Sequence, residues 1–288
     1  MDVVVTGAGG FSGSHVVRAL AAAGHRITAV TGRTLGRFDT SLRGVNAITG
    51  DLAGDLPLPR KIDAIVHTAA LSPAPGITDA DMVHANQAGT ERLAAYAHDA
   101  GAHAFIYLSS LSIYGKISVP VVDETTPIVD PDVYGVTKYK GELALRRTPG
   151  SMRSLSIRLP GVLGRHSVRN WLTTVVARAK ADQDISIYGA DQPFNNAAHI
   201  DDICRFVDAL LQRGWNGHDA VTIGAAGETT VGRAVDIVVR TLASRSRVLA
   251  QPPRTNFLIS SQHARTQYGY APMDIEAMLT LFAQSNRD

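Results

Sequence analysis

The stretch VVVTGAGGFSGSH, residues 3–15, runs four β-branched residues into a glycine-rich turn and out into a helical pattern. Gly7, Gly10 and Gly13 stand at a G-x-x-G-x-x-G spacing. Glycines so placed permit a tight turn and let backbone N–H groups approach a pyrophosphate, whose charge is favoured at the N-terminus of the helix that follows. A strand before and a helix after are the context that a dinucleotide-phosphate cradle requires. Further short runs rich in Val and Ile recur at 27–30, 64–66, 105–108 and 155–157, each followed after a break by a longer helical pattern. The alternation predicts an α/β fold: a doubly wound parallel sheet of the Rossmann type covered by helices, with a smaller C-terminal substrate lobe. Helices are expected over 15–23, 79–100, 134–147, 171–181, 201–212, 231–244 and 275–284. The dinucleotide-binding domain is expected over 1–159 and 200–223, the substrate-binding lobe over 160–199 and 224–288.

With 288 residues, 45% of them hydrophobic, the chain has ample material for a core. The formal net charge is +2 and the basic residues are scattered. No stripe suited to nucleic acid emerges, and small molecules are the expected partners. A single cysteine, Cys204 in the apolar run ICRFVDALL, excludes an internal disulfide and reads as a small buried hydrophobe. No run approaches the length of a membrane span, and the N-terminus opens directly into VVVTG, so a soluble cytoplasmic protein is expected.

The second strand, in HRITAVTGRT, bears on which dinucleotide is bound. A preference for NAD usually places a carboxylate at the end of this strand, where it bonds the ribose 2′-hydroxyl. Here that place falls near Thr31, and the first charged residue beyond it is Arg33, followed by Arg37. A guanidinium can hold a 2′-phosphate through paired hydrogen bonds, so NADP is the expected preference, with NAD possible. Asp51, in TGDLAGD after the third strand, stands where a carboxylate could accept from the adenine amino group, or serve as a turn residue.

VYGVTKYKGE, residues 133–142, carries the reactive pair. Of eight tyrosines only Tyr134 has a lysine at i+4, Lys138. On a helix the two share a face, about 6 Å of rise apart. Bringing a phenol from near 10 to near 7 takes roughly 4 kcal/mol. A cation at about 4 Å in an effective dielectric of about 20 supplies a similar amount. A hydroxyl to hold the substrate oxygen is available in FIYLSSLSIYG, whose Ser109 and Ser110 fall at the carboxyl end of the fifth strand.

TGAGGFSGSH, HTAA at 67–70, NQAGTERL at 86–93, SSLSIYG, YGVTK, HIDDI at 199–203 and ARTQYGYAP at 264–272 form an ordered set. Together they resemble the extended short-chain dehydrogenase/reductases, the NAD-dependent epimerase/dehydratase family. The resemblance implies Tyr134 as catalytic acid/base, Lys138 as its pKa-lowering, ribose-binding partner and Ser110 as the hydroxyl that polarises the reacting oxygen. Cofactor contacts are expected at Gly7, Gly10, Phe11, Ser12, Gly13, Arg33, Asp51, Leu52, Ala69, Ala70, Asn86, Tyr134 and Lys138, and the resemblance implies that Asn86 helps organise the nicotinamide side. It further implies a homodimer through the helices over 79–100 and 134–147.

Departures narrow the reading. Dehydratases of this family carry an Asp–Glu pair where this chain has Leu111 and Ser112, so 4,6-dehydration is not expected. Nucleotide-sugar epimerases usually show an Asn and an Arg where Gly161 and Asn195 stand, and those residues contact the diphosphate. Arg165, Arg169 or Arg254 could compensate. Ser110, Ser112, Asn195 and Asn196 are the candidate substrate contacts, although the two asparagines read equally as turn residues. His199 with Asp201 and Asp202 reads as capping and packing, and hydride transfer needs no metal. The expected function is an NAD(P)-dependent oxidoreductase interconverting a secondary alcohol and a ketone on a sugar-like or small polar substrate. The alternatives are a nucleotide-sugar epimerase with tightly bound NAD, and a non-catalytic NADP-sensing regulator that would have no use for the Tyr–Lys–Ser set.

Overall fold

The structure, a computed structural model, describes residues 1–32, 36–39, 41–168, 170–252 and 256–287. The chain divides into two compact units: residues 1–116, 126–158 and 204–221, and residues 117–125, 159–203 and 222–288. Among the described residues no helix is long and apolar enough to cross a membrane.

The first unit is built on a seven-stranded sheet: β1 (Asp2–Thr6), β2 (Arg26–Thr31), β3 (Val45–Thr49), β4 (Ala64–His67), β5 (Ala104–Ser110), β6 (Arg153–Leu159) and β7 (His218–Thr222), in the order β7-β6-β5-β4-β1-β2-β3. Strands β2, β1, β4, β5 and β3 pair in parallel, Val3 standing opposite Ile27 on one side and Ala64 on the other. The five apolar runs of the sequence are central strands buried on both faces, which is why they lack a polar alternation. The strands at the two ends read differently. β3 (VNAIT) is largely exposed and β7 (HDAVT) opens on polar residues, so neither forms an apolar run.

α1 (Phe11–Ala22) begins directly after the glycine turn, with Gly10 as its N-cap and no side chain capping its first N–H groups. The helix expected over 79–100 is three pieces: α2 (Asp79–Met82), a π-turn (Val83–Ala88) and α3 (Gly89–Asp99). α4 (Val133–Arg147) starts where Asp132 accepts the Gly135 N–H at 2.7 Å. Leu93, Ala94 and Ala97 of α3 and Leu145 of α4 share one apolar cluster with Val4, Ile65, Phe105 and Tyr107 of the sheet.

In the second unit α5 (Trp171–Lys180), α6 (Val231–Thr241) and α7 (Ile275–Ser285) enclose Leu172, Val176, Val235, Val238, Leu279 and Phe282. A short helix over Gln262–Tyr268 was not anticipated from the sequence. Residues 117–125, expected in the first domain, group with the second unit because Val121–Val122 pairs in parallel with Leu258–Ile259. Cys204 is buried.

The glycine turn is tight enough to test. A Cβ on Gly13 would lie 2.1 Å from the Gly7 carbonyl oxygen, and Gly7 itself has φ +68°. Gly13→Ala is expected to destabilise the protein by about 2 kcal/mol or more, because a backbone atom must give way. Urea unfolding measures this; an unchanged midpoint would show that the turn has slack.

Candidate active site

The glycine turn is fastened by its own backbone and by the loop after β4. Gly10 N donates to Gly7 O at 2.8 Å, and Thr68 Oγ1 donates to Thr6 O at 2.7 Å. A Cβ on Gly7 would meet Ala69 N at 2.6 Å, so Ala69 and the turn touch backbone to backbone. The result is a run of main chain, from Gly7 through Phe11 and Ser12 to Gly13, lying against Ala69, with Ala70 the next residue along the chain. Its N–H groups head α1 without a side-chain cap, and this donor set fits a pyrophosphate.

Around this cradle the expected cofactor residues fall as follows. Thr31 is buried and its Oγ1 lies 3.0 Å from Thr49 Oγ1, so its side chain serves the sheet. Arg33 lies outside the described residues, as do Arg169 and Arg254. Arg37 N donates to Gly9 O at 3.0 Å and its guanidinium stands 5.9 Å from the Phe11 ring centre, which brings that segment onto the glycine turn. Asp51 accepts the Ala53 N–H at 2.9 Å and pairs with His84 Nε2 at 3.0 Å. Leu52 packs against Gly89.

Asn86 sits in the π-turn, buried. Its Oδ1 accepts the Leu71 N–H at 2.7 Å while Nδ2 donates to Leu71 O at 2.8 Å and to Thr137 Oγ1 at 3.1 Å. One side chain thus ties the loop after β4 to α4 at Thr137, the residue before Lys138.

Ser110 ends β5 and caps a single 3-10 turn, Leu111–Tyr114, accepting the Ser112 N–H at 3.1 Å and donating to Ser112 Oγ at 3.1 Å. Gly135, next to Tyr134, is pressed onto this turn: a Cβ there would lie 2.2 Å from Ser112 O. The absence of a side chain at 135 therefore brings the first turn of α4 against the Ser110–Ser112 turn. Tyr134 is half-buried and Lys138, one turn on, is buried.

Behind these groups lies a polar layer that the sequence reading missed. Lys138 Nζ stands 4.1 Å from the centre of the Tyr107 ring, and Tyr107 stacks on His67 at 5.2 Å. Glu142 accepts Ser109 Oγ at 2.5 Å and Arg158 Nη2 at 2.8 Å, and Arg158 Nη1 donates to Tyr114 OH at 2.8 Å. Burial lowers the Lys138 pKa to about 7, against the opposing pull of Glu142. Burial, and then the charge of Lys138, push His67 well below the usual imidazole range. Burial also works against the Arg158 charge, yet the bonds to Glu142 raise its pKa. One signal for this layer was available: Glu142 stands at i+4 from Lys138, as Lys138 does from Tyr134.

The remaining candidates lie in the second unit. Asn195 is buried and its amide bridges the Ile259 backbone, Nδ2 to O at 2.9 Å and N to Oδ1 at 2.8 Å, which gives it a structural duty. It lines a cavity of about 730 Å³ with Arg265, Ser261 and Tyr270. Its neighbour Asn196 lines a different cavity, of about 630 Å³, with Asn170, Trp171, Tyr188, Phe194 and Asn256. His199 Nδ1 accepts the Asp201 N–H at 3.3 Å, a cap for the helix that follows.

A family model described as the NAD dependent epimerase/dehydratase family matches residues 3–224. The chain belongs to that family. Its members are NAD-dependent enzymes, and this chain is one of them. It is 27% identical to the dTDP-glucose 4,6-dehydratase of Streptomyces niveus over 94% of this chain and 88% of that protein. It is 26% identical to the UDP-glucose 4-epimerase of Mycolicibacterium smegmatis over 94% of each. The crystal structure of the UDP-glucuronic acid 4-epimerase from Bacillus cereus in complex with NAD superposes with a TM-score of 0.82 at 21% identity, covering 99% of this chain and 98% of that one, and shows the same fold.

The buried lysine makes a prediction about stability in this epimerase/dehydratase family chain. Its folded pKa of about 7 lies below the ordinary 10.5, so between these values the unfolded chain binds a proton that the folded one has released. Stability then rises with pH across that window, by a few kcal/mol in all. Lys138→Met is expected to abolish the rise between pH 7 and 9 and to raise the urea midpoint at pH 7. A variant no more stable than the parent at pH 7 would refute the buried-charge account.

Proposed function

We propose that this enzyme interconverts a secondary alcohol and a ketone on the sugar of a nucleotide sugar, with Tyr134, Lys138 and Ser110 as its reactive set. The observation that carries the reading is the contact of Gly135 with Ser112 O, which puts the tyrosine's helical turn against the serine turn. The dinucleotide, held by the glycine turn, Phe11, Ser12, Asp51, Leu52, Ala69, Ala70 and Asn86, supplies the hydride acceptor when bound. Tyr134 takes the hydroxyl proton of the substrate and returns it in the reverse direction. Ser110 donates to the same oxygen, and Lys138 as an ammonium favours the phenolate. Leu111 and Ser112 offer no carboxylate pair, which argues against water elimination despite the likeness to a dehydratase.

The first unit serves as the dinucleotide domain in this reading and the second as the substrate lobe. The cavity beside Asn196 suits the nucleotide end of such a substrate. Trp171, Tyr188 and Phe194 offer ring faces, and Asn196 Oδ1 is buried without a hydrogen-bond partner among the described residues, an acceptor that an N–H of a base would satisfy. The names of the relatives favour epimerisation as the net outcome, with the dinucleotide kept between half-reactions. Denaturing the purified protein and identifying any released dinucleotide separates this from net redox. A preference for NADP over NAD rests on the missing carboxylate at the end of β2 and on Arg33. Tighter binding of NAD in a direct titration would overturn it.

A homodimer and a cytoplasmic location complete the reading. The α3–α4 groove is lined by Ala94, Ala95, Leu143 and Ala144, with Glu91 and Asp99 on α3 and Lys140 and Arg147 on α4. A two-fold axis would set the acids of one copy on the bases of the other. Ala95→Glu is expected to shift the protein to monomer in light scattering; an unshifted mass would place any assembly elsewhere.

Tyr134→Phe is expected to lower kcat by about two to four orders of magnitude while the dinucleotide Kd changes little. Turnover within a few-fold of the parent would sink the assignment.

A further inference from the structure

The buried face of Lys138 is a ring, and the surroundings of that ring are set with unusual constraint. A Cβ on Gly141 would lie 2.6 Å from the Tyr107 hydroxyl oxygen and 2.9 Å from Cζ, so only glycine at this position of α4 lets the ring occupy its place. Lys138, one turn earlier, then projects Nζ to 4.1 Å from the ring centre. His67 stacks on the same residue with an interplanar angle of 19°, and both its nitrogens are engaged, Nδ1 with Thr6 Oγ1 at 2.6 Å and Nε2 with Thr90 Oγ1 at 2.9 Å.

The charged and titratable neighbours explain why a ring is needed here. From β4 comes His67, held neutral by burial and by the lysine itself. From β5 comes Tyr107, whose own ionisation burial pushes up, so it brings no negative charge. On α4 stand Tyr134 and Glu142, and Glu142 is already paired with Arg158 of β6. No carboxylate oxygen is recorded within salt-bridge distance of Nζ among the described residues. The electron-rich face of Tyr107, 4.1 Å from Nζ, favours an ammonium over an amine beside the longer-range pull of Glu142.

We propose that Tyr107 is a positioning residue for the reaction: through its ring face, not its hydroxyl, it keeps Lys138 protonated and aimed, and His67 and Gly141 hold that ring in place. The inference deepens the role given above to Lys138 and rests on it. Aromatic character at 107 is then a functional requirement, and the hydroxyl is dispensable.

The test replaces Tyr107 by Phe and by mono-, di- and trifluorophenylalanine through suppressor incorporation, a series that drains the ring face of negative potential with little change in size. The lysines of the full chain carry carbon-13 at Cε, the Lys138 signal is assigned by its loss in Lys138→Met, and its titration is followed without substrate. Tyr107→Phe is expected to retain the parental midpoint. The fluorinated proteins should titrate progressively lower, by about one pH unit across the series, a tenfold change in the protonation equilibrium. The alkaline limb of kcat/KM, where the ammonium is lost, should move down in step while the unfolding midpoint stays within the range of the Phe protein. A Lys138 midpoint indifferent to fluorination overturns the proposal, as does a loss in Tyr107→Phe equal to that of the trifluoro protein. Because the titration requires no turnover, its failure is distinguishable from failure of the catalytic assignment, which Tyr134→Phe reads.

Discussion

An ammonium held away from water sets the terms for the rest of this protein. Lys138 is buried, and burial works against its charge. The ring of Tyr107 and the carboxylate of Glu142 answer that cost, His67 adds no positive charge, and Arg158 holds the carboxylate in place. Each comes from a different element, so the sheet and α4 cannot shift far without exposing a charge mismatch. The layer links Ser109 and Tyr114, which bracket the Ser110 turn, to the helix that carries Tyr134.

Close approach of main chain to main chain does the rest of the positioning. The glycine turn lies against Ala69, and the start of α4 lies against Ser112, in each case because a side chain is missing. Asn86 then bonds the loop after β4 to Thr137 of α4. The glycine turn and the helical turn that carries Tyr134 and Lys138 are therefore parts of one continuous bonded structure within the first unit.

The parts of this arrangement legible in the sequence were those with a local cause. Val3–Val5 and its counterparts announce strands because both faces are buried, and the glycine spacing announces the turn because it follows directly on β1. The Tyr134–Lys138 spacing needed only helical periodicity. Features caused by distant packing were not legible. Val121–Val122 joins the second unit through a partner more than a hundred residues on, and the amide of Asn195 is claimed by the Ile259 backbone. The contact of Tyr107 with Lys138 was not legible either, since nothing in a strand pattern says which buried ring will face a charge. Asn195 and Asn196 looked equivalent, yet adjacent residues of an extended segment project to opposite sides, and the two line separate cavities.

The π-turn over Val83–Ala88 carries a consequence for how this chain can change. An additional residue in one turn alters the angular phase of everything after it by about 100° relative to a regular α-helix. Asn86 faces Leu71 and Thr137 only while that phase is kept. Shortening the segment by one residue would leave the helix able to form, with better backbone geometry than before, and would swing the carboxamide out of its clamp. The irregularity is thus where local regularity and the Asn86 clamp are in direct conflict, and the conflict is resolved in favour of the clamp.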